Sequence, residues 1–127
     1  MILFLTALAG GVGGATRFAV DNWVSTRSKV SIPVGTVVVN VTACFFLGLL
    51  TGLVSGATNS VALLSIFGVG LMGGYSTFST ASVEGARLIK QRRYLAALVH
   101  AGGMLAICLV ASTLGMWLGS GLSLALV

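Results

Sequence analysis

The sequence predicts an all-α integral membrane protein of four transmembrane helices, the third broken near the bilayer midplane. Three observations carry this reading. Of the 127 residues, 57% are hydrophobic and only 7% charged, with a mean hydropathy of +1.09, whereas soluble domains carry roughly 25% charged residues. Four apolar stretches each reach the ~20 residues a helix needs to cross ~30 Å of hydrocarbon. The third is interrupted by glycines and hydroxyl residues that suit no lipid-facing helix. This composition excludes disorder and leaves too few polar residues to cover a soluble enzyme core. The length allows a single domain, residues 1–127. The N-terminal MILFLTALAGG lacks a basic region before its apolar run and is read as mature helix, not a cleaved signal.

The spans are expected at about 2–23, 33–55, 61–88 and 94–122. Pro33 suits a first helical turn, where a missing N–H costs nothing. Gly56–Ser60 reads as a short polar turn and Lys90–Arg93 as a short basic one. Trp23, Tyr94 and Trp117 fall near span ends, where interfacial aromatics belong. Small residues recur four apart, at Gly10/Gly14, Gly48/Gly52, Gly52/Gly56, Gly70/Gly74 and Gly115/Gly119. In lipid, close backbone contact through such residues replaces the hydrophobic force between helices. Cys44 and Cys108 lie in apolar runs and read as small core residues, without disulfide or metal spacing.

The formal net charge of +5 is a topology signal. Seven basic residues in so apolar a chain make no phosphate-tracking surface, so no nucleic acid partner is expected. Arg27 and Lys29 lie between spans one and two; Arg87, Lys90, Arg92 and Arg93 lie at the end of span three and in the loop after it. Arg17 is within two turns of the first group. Basic loops stay cytoplasmic, which predicts a multi-pass cell-membrane protein in one fixed orientation with both termini outside.

Polar residues inside spans are expensive and need a reason. Asn40 lies about two turns into span two, roughly 10 Å along its axis; it is either an interhelical hydrogen-bonding group or a pore-lining donor. Residues 73–82 read Gly-Gly-Tyr-Ser-Thr-Phe-Ser-Thr-Ala-Ser, where Ser and Thr compete for backbone bonds and the double glycine loosens the helix. Such a break survives in a membrane only when buried in protein or lining water. Freed carbonyls could hold a cation and freed N–H groups an anion. Phe78, within this run, presents a ring edge of partial positive charge, a weak site of the kind that fast anion conduction requires. Glu84, the sole acid well inside a span, is expected to pair with Arg87 or Arg17. Arg17 follows a glycine-rich stretch and could anchor the helix end or raise the local anion concentration. His100 reads as an interhelical hydrogen-bonding residue or a titrating pore residue. No paired carboxylate, nucleophile with base, phosphate-binding loop or metal-ligand cluster is present, so no enzyme is expected.

Three motifs resemble the bacterial fluoride channel family. They are Gly10-Gly11-Val12-Gly13-Gly14-Ala15-Thr16-Arg17-Phe18, Pro33-Val34-Gly35-Thr36-Val37-Val38-Val39-Asn40, and Gly73-Gly74-Tyr75-Ser76-Thr77-Phe78-Ser79-Thr80 followed by Glu84. Their order, the length and the four spans agree with the family over the whole chain. The resemblance implies an antiparallel dimer with two potential pores that conducts fluoride passively. It places Asn40, Phe78, Thr77 and Ser112 along the fluoride path. It also gives Gly73 and Ser76 the backbone carbonyls that hold a structural sodium ion shared between subunits at the dimer centre.

The departures from the family pattern are specific. Its second pore phenylalanine falls at Ala81, and Ser76 replaces a common threonine. Met104 and Cys108 fall where hydroxyls are expected, and His100 where an aromatic hydroxyl is common; Ser112 keeps a hydroxyl. The strong charge bias and the partly lost pore residues both point to one half of an antiparallel heterodimer with a homologous second subunit. Two other readings stay open. One is a small multidrug-type cation exporter, which needs a carboxylate near the middle of span one, where this chain has none before Asp21. The other is a non-conducting assembly subunit of a fluoride channel.

Overall fold

The computed structural model describes residues 1–28, 33–55 and 60–125. Helix α1 covers Ile2–Arg27 and α2 covers Val34–Leu53. Helix α3 starts at Ser60–Leu63, widens into a π-helical stretch over Leu64–Met72 and ends with one turn at Gly73–Tyr75. After an extended link, α4 covers Phe78–Lys90. Helix α5, Tyr94–Ala125, contains a second π-helical stretch at Val99–Gly103. Among the described residues four helical segments are long and apolar enough to cross a membrane, with α3 and α4 together forming the third, Val61–Lys90.

The ends of the spans differ modestly from the sequence expectation. Helix α1 continues past Trp23 to Arg27 because its polar tail supports itself. The Thr26 hydroxyl donates to the Asn22 carbonyl at 2.9 Å, and the Arg27 guanidinium lies 4.5 Å over the Trp23 ring. Apolar periodicity does not register such a solvated extension. Pro33 precedes α2 directly as its N-cap residue. The basic turn after α4 is tight, with Arg92 in the left-handed region at φ 58°. Lys29, the polar turn at 56–59 and Gly56 of the predicted Gly52/Gly56 pair lie outside the described residues.

Glycine builds two seams between parallel helices. Along the first, α1 meets α3: a Cβ at Gly13 would strike the Leu71 carbonyl, one at Gly70 the Thr6 carbonyl, and one at Gly74 the Gly10 carbonyl. Along the second, α2 meets α5: a Cβ at Gly48 would strike Ser112, one at Gly52 Met116, one at Gly115 Phe45, and one at Gly119 Leu49. These are main-chain contacts, so a side chain at any of these positions would force the helices apart.

The second seam is a ladder. Gly48 faces Ser112 and Gly52 faces Met116, at one constant offset along both helices. The same 64-residue offset joins Asn40 to Met104 toward the break, through a hydrogen bond of 3.5 Å. Outside the seams the surface is apolar: Phe4, Phe18, Leu95 and Trp117 are all mostly exposed. A hydrocarbon solvent accepts that face without cost, whereas water would not.

Candidate ion path at the broken third span

Helix α3 ends where the sequence places its break. Ser76 (φ −71°, ψ 161°) and Thr77 (φ −148°, ψ 118°) are extended, at the middle of the 30-residue third span. Hydroxyl side chains and a neighbouring helix compensate the interruption. The last helical bond of α3 runs from Ser76 N–H to the Met72 carbonyl at 2.9 Å. Asn40 then takes over: its Oδ1 accepts from Thr77 N–H at 2.8 Å and its Nδ2 donates to the Thr77 carbonyl at 2.9 Å. The amide of α2 thus stands in for the missing peptide partners, which is how a non-helical residue can persist at this depth.

The local chemistry of α4 follows from Thr77. Its side chain caps the helix, accepting from Thr80 N–H at 3.2 Å while donating to the Thr80 hydroxyl at 2.9 Å. A threonine N-cap satisfies one of the free N–H groups at a helix start. The hydroxyl expected on the ion path is therefore engaged in capping. On the other side of the break, the Tyr75 hydroxyl meets that of Thr42 at 2.9 Å, fixing the end of α3 against α2.

Asn40, Ser76, Thr77, Phe78 and Ala81 line one side of an open groove, and Met104, Leu105 and Cys108 of α5 line the other, around about 460 Å³. Phe78 is 87% exposed, and so it projects from the helix packing. Ala81, where the resemblance expects a second phenylalanine, is buried. Ser112 lies one ladder step beyond Cys108, with its main chain against Gly48, and is not among the groove residues. Gly73 is exposed at the break. In a continuing helix its carbonyl would receive the Thr77 N–H, which goes to Asn40 instead.

A second, smaller space of about 180 Å³ lies on the α1 side. Arg17, Phe18, Asp21, Thr36, Val39, Thr77 and Thr80 surround it. Arg17 therefore faces the polar groups of Asp21, Thr36, Thr77 and Thr80. Glu84 does not pair as expected: among the described residues it forms no ion pair with Arg17 or Arg87. Its Oε2 lies 3.7 Å from Nε2 of His100, a fully buried residue in the π-helical part of α5. The correction has a physical reason. Arg87 is one turn nearer the exposed end of α4, whereas the wide turn at Val99–Gly103 brings His100 inward. The Thr36 hydroxyl is also buried beside this space, and among the described residues neither it nor the His100 nitrogens have a hydrogen-bond partner.

Sequence reasoning missed the Asn40–Thr77 clamp, the Glu84–His100 approach and the meeting of Cys44, Met104 and Cys108 in one groove. A signal for the last was present. Gly48 and Gly52 mark the face of α2 that touches α5, and one turn back along that face stands Cys44.

Four apolar spans, two glycine seams and a mid-depth break define a small multi-pass membrane protein. Residues 4–116 match the family described as "CrcB-like protein, Camphor Resistance (CrcB)", and the chain belongs to that family. It is 45% identical over 125 residues to a Leifsonia xyli subsp. xyli (strain CTCB07) protein named fluoride-specific ion channel FluC 1, covering 98% of this chain and 90% of the relative. A Cutibacterium acnes (strain DSM 16379 / KPA171202) protein named fluoride-specific ion channel FluC 2 is 38% identical over 124 residues, covering 94% of this chain and 98% of the relative. A Rhodococcus jostii protein of the same name is 39% identical over 120 residues, covering 94% of this chain and 100% of the relative.

Proposed function

We propose that this chain is a subunit of a passive fluoride channel, paired antiparallel with a homologous second subunit, that lets fluoride leave the cytoplasm. The observation that carries the reading is the opened third span, clamped by Asn40 and followed at once by an outward-facing Phe78 ring. Neutral hydrogen fluoride crosses membranes and dissociates at neutral pH. The membrane potential then drives the trapped anion out through any path that admits it.

The groove offers fluoride weak contacts. The Phe78 ring edge carries partial positive charge. The second N–H of Asn40 rests on the Met104 sulfur at 3.5 Å, and a thioether is a poor acceptor. That proton can turn to a passing anion without breaking the clamp on Thr77. Weak successive contacts of this kind permit entry and release. The basic ends of α1 and α4 and the start of α5 face the cytoplasm in this reading, with both termini outside.

An exposed ring beside an open groove needs a cover, and a second subunit provides it. The chain's one-sided charge argues that the partner is a homologue of opposite bias, and the relatives' numbered names, FluC 1 and FluC 2, support paired homologues. The partner would supply the ring that Ala81 lacks. The break also suits a structural sodium ion, whose hard charge calls for backbone oxygens. Gly73 and Ser76 carbonyls would hold it, since the helical donor to the Gly73 carbonyl has been diverted. When bound, the ion would neutralise converging carbonyl dipoles at the dimer centre.

Fluoride efflux from liposomes tests the proposal. Efflux is expected when both subunits are reconstituted together and is absent from this chain alone; robust efflux from the single purified chain removes the need for a partner. Phe78→Ile in this chain is expected to abolish efflux with the dimer intact. The assembly-subunit reading draws on the buried Ala81 and on the Met104 sulfur occupying the Asn40 donor. Unchanged efflux in both Phe78→Ile and Asn40→Asp would establish it.

A further inference from the structure

The groove wall contains three sulfur atoms, and the ladder between α2 and α5 is what brings them together. Cys44 stands between the Asn40/Met104 and Gly48/Ser112 steps, and the constant 64-residue offset makes Cys108 its opposite number. Both cysteines are free and half-buried, and both line the same groove as Met104 and Phe78. The adjacent Gly48/Ser112 step holds the two helices at close main-chain approach on this side of the groove.

We propose that Cys44, Cys108 and Met104 form a binding site for a soft monovalent d10 cation, copper(I) or silver(I), in the wall of the ion path. The donor set selects this class. Among the described residues no three His, Cys, Asp or Glu side chains come together, so the tetrahedral nitrogen–sulfur cage of zinc cannot form. Oxygen-seeking ions find no carboxylate among the groove residues. Two thiolates with one thioether suit a soft ion that accepts low coordination. Binding displaces the thiol protons: one M⁺ and two R–SH give one bis-thiolate complex of charge −1 and two H⁺, with no change of oxidation state. Affinity therefore rises with pH. The bound complex also places a negative charge beside Phe78 and draws the Met104 sulfur away from Asn40. Occupancy is thus expected to impede fluoride.

The inference rests on the channel reading only for this last effect; binding itself does not. The test uses the purified protein with silver nitrate in chloride-free buffer, with bound silver counted by mass spectrometry and calorimetry. One silver ion per chain is expected. Either Cys44→Ser or Cys108→Ser should weaken binding more than about 100-fold, and Met104→Leu by about 10-fold; losing even a group that only orients a metal ligand costs about 10–100-fold, and a thiolate ligand costs more than a thioether one. Absence of stoichiometric binding, or binding undiminished in either serine variant, overturns the site. Efflux from liposomes then separates the two ideas. With both subunits reconstituted together, silver should block efflux when this chain is wild type and spare it when this chain carries Cys44→Ser/Cys108→Ser. Stoichiometric silver binding in a protein pair that conducts no fluoride would keep the site and sink the channel reading. Fluoride efflux unaffected by bound silver would remove the site from the ion path.

Discussion

The two ends of the α2–α5 seam follow one register and do opposite things. At Gly48/Ser112 and Gly52/Met116 the main chains touch and nothing fits between them. One and two turns away, at Cys44/Cys108 and Asn40/Met104, the same offset carries side chains instead, and a groove opens. Helix direction and spacing are shared, so the difference lies in side-chain volume and polarity alone. Glycine closes the seam because backbone contact is the main cohesive force available in lipid. Asn40 opens it because its amide is turned to the broken span, where it holds the Thr77 main chain. The closed end fixes the helices, and the open end can then hold polar groups at mid-depth in a defined geometry.

The largest effect is expected from breaking the open end. Asn40→Ala removes both bonds to Thr77 and leaves a buried N–H and C=O without partners, at about 1–3 kcal/mol each. Residues 76–77 should then be drawn toward helix, and fluoride efflux should fall below detection. Thermal unfolding in detergent and the liposome assay check the two halves of this outcome. A full loss of efflux with unchanged stability would mean that Asn40 contacts the ion without supporting the break.

The closed end comes next. Gly48→Val drives a branched side chain into the Ser112 main chain, which cannot yield as a side chain would. Overpacking of this kind costs about 1–3 kcal/mol. The separation should propagate one step along the ladder and widen the Cys44–Cys108 rung, slowing cross-linking of these two thiols by a short bifunctional reagent. Gly11→Ala, where a Cβ meets nothing nearby, is the matched control and should leave both measurements unchanged.

This contrast also explains what could be read from the chain directly. The four spans and the break were legible because they are local. A long apolar stretch or a run of hydroxyls after Gly73-Gly74 states its preference without reference to anything distant. The outer seam was half legible, since Gly48/Gly52 and Gly115/Gly119 announce close packing but not which helix answers which. The site was hidden wherever it depended on pairing. Asn40 and Thr77 are 37 residues apart, and nothing in either segment names the other. Glu84 was assigned two positive charges, Arg87 one turn away on its own helix and Arg17 across the bundle. The partner it meets, His100, is presented by a π-helical widening at Val99–Gly103 that a regular helical period does not foresee. Such widenings cluster at functional sites, and here one carries a buried imidazole beside a carboxylate of the third span.

The smallest effect concerns Thr77, which stands at the open end of that seam: its main chain is held by Asn40 and its side chain starts α4. The resemblance puts its hydroxyl on the fluoride path, whereas the geometry uses that hydroxyl as the N-cap, accepting from Thr80 N–H. The two roles predict different substitution patterns. For a cap, Thr77→Ser preserves the hydroxyl and should leave stability and efflux near wild type. Thr77→Val keeps the shape, removes the acceptor and should cost about 1 kcal/mol, the usual loss when a capping hydroxyl is deleted. Because Asn40 still clamps the main chain, the break should remain and efflux should fall only slightly. Unfolding in detergent measured beside efflux decides between the roles: a Thr77→Val protein of normal stability that no longer conducts would show that the hydroxyl serves the ion and not the helix.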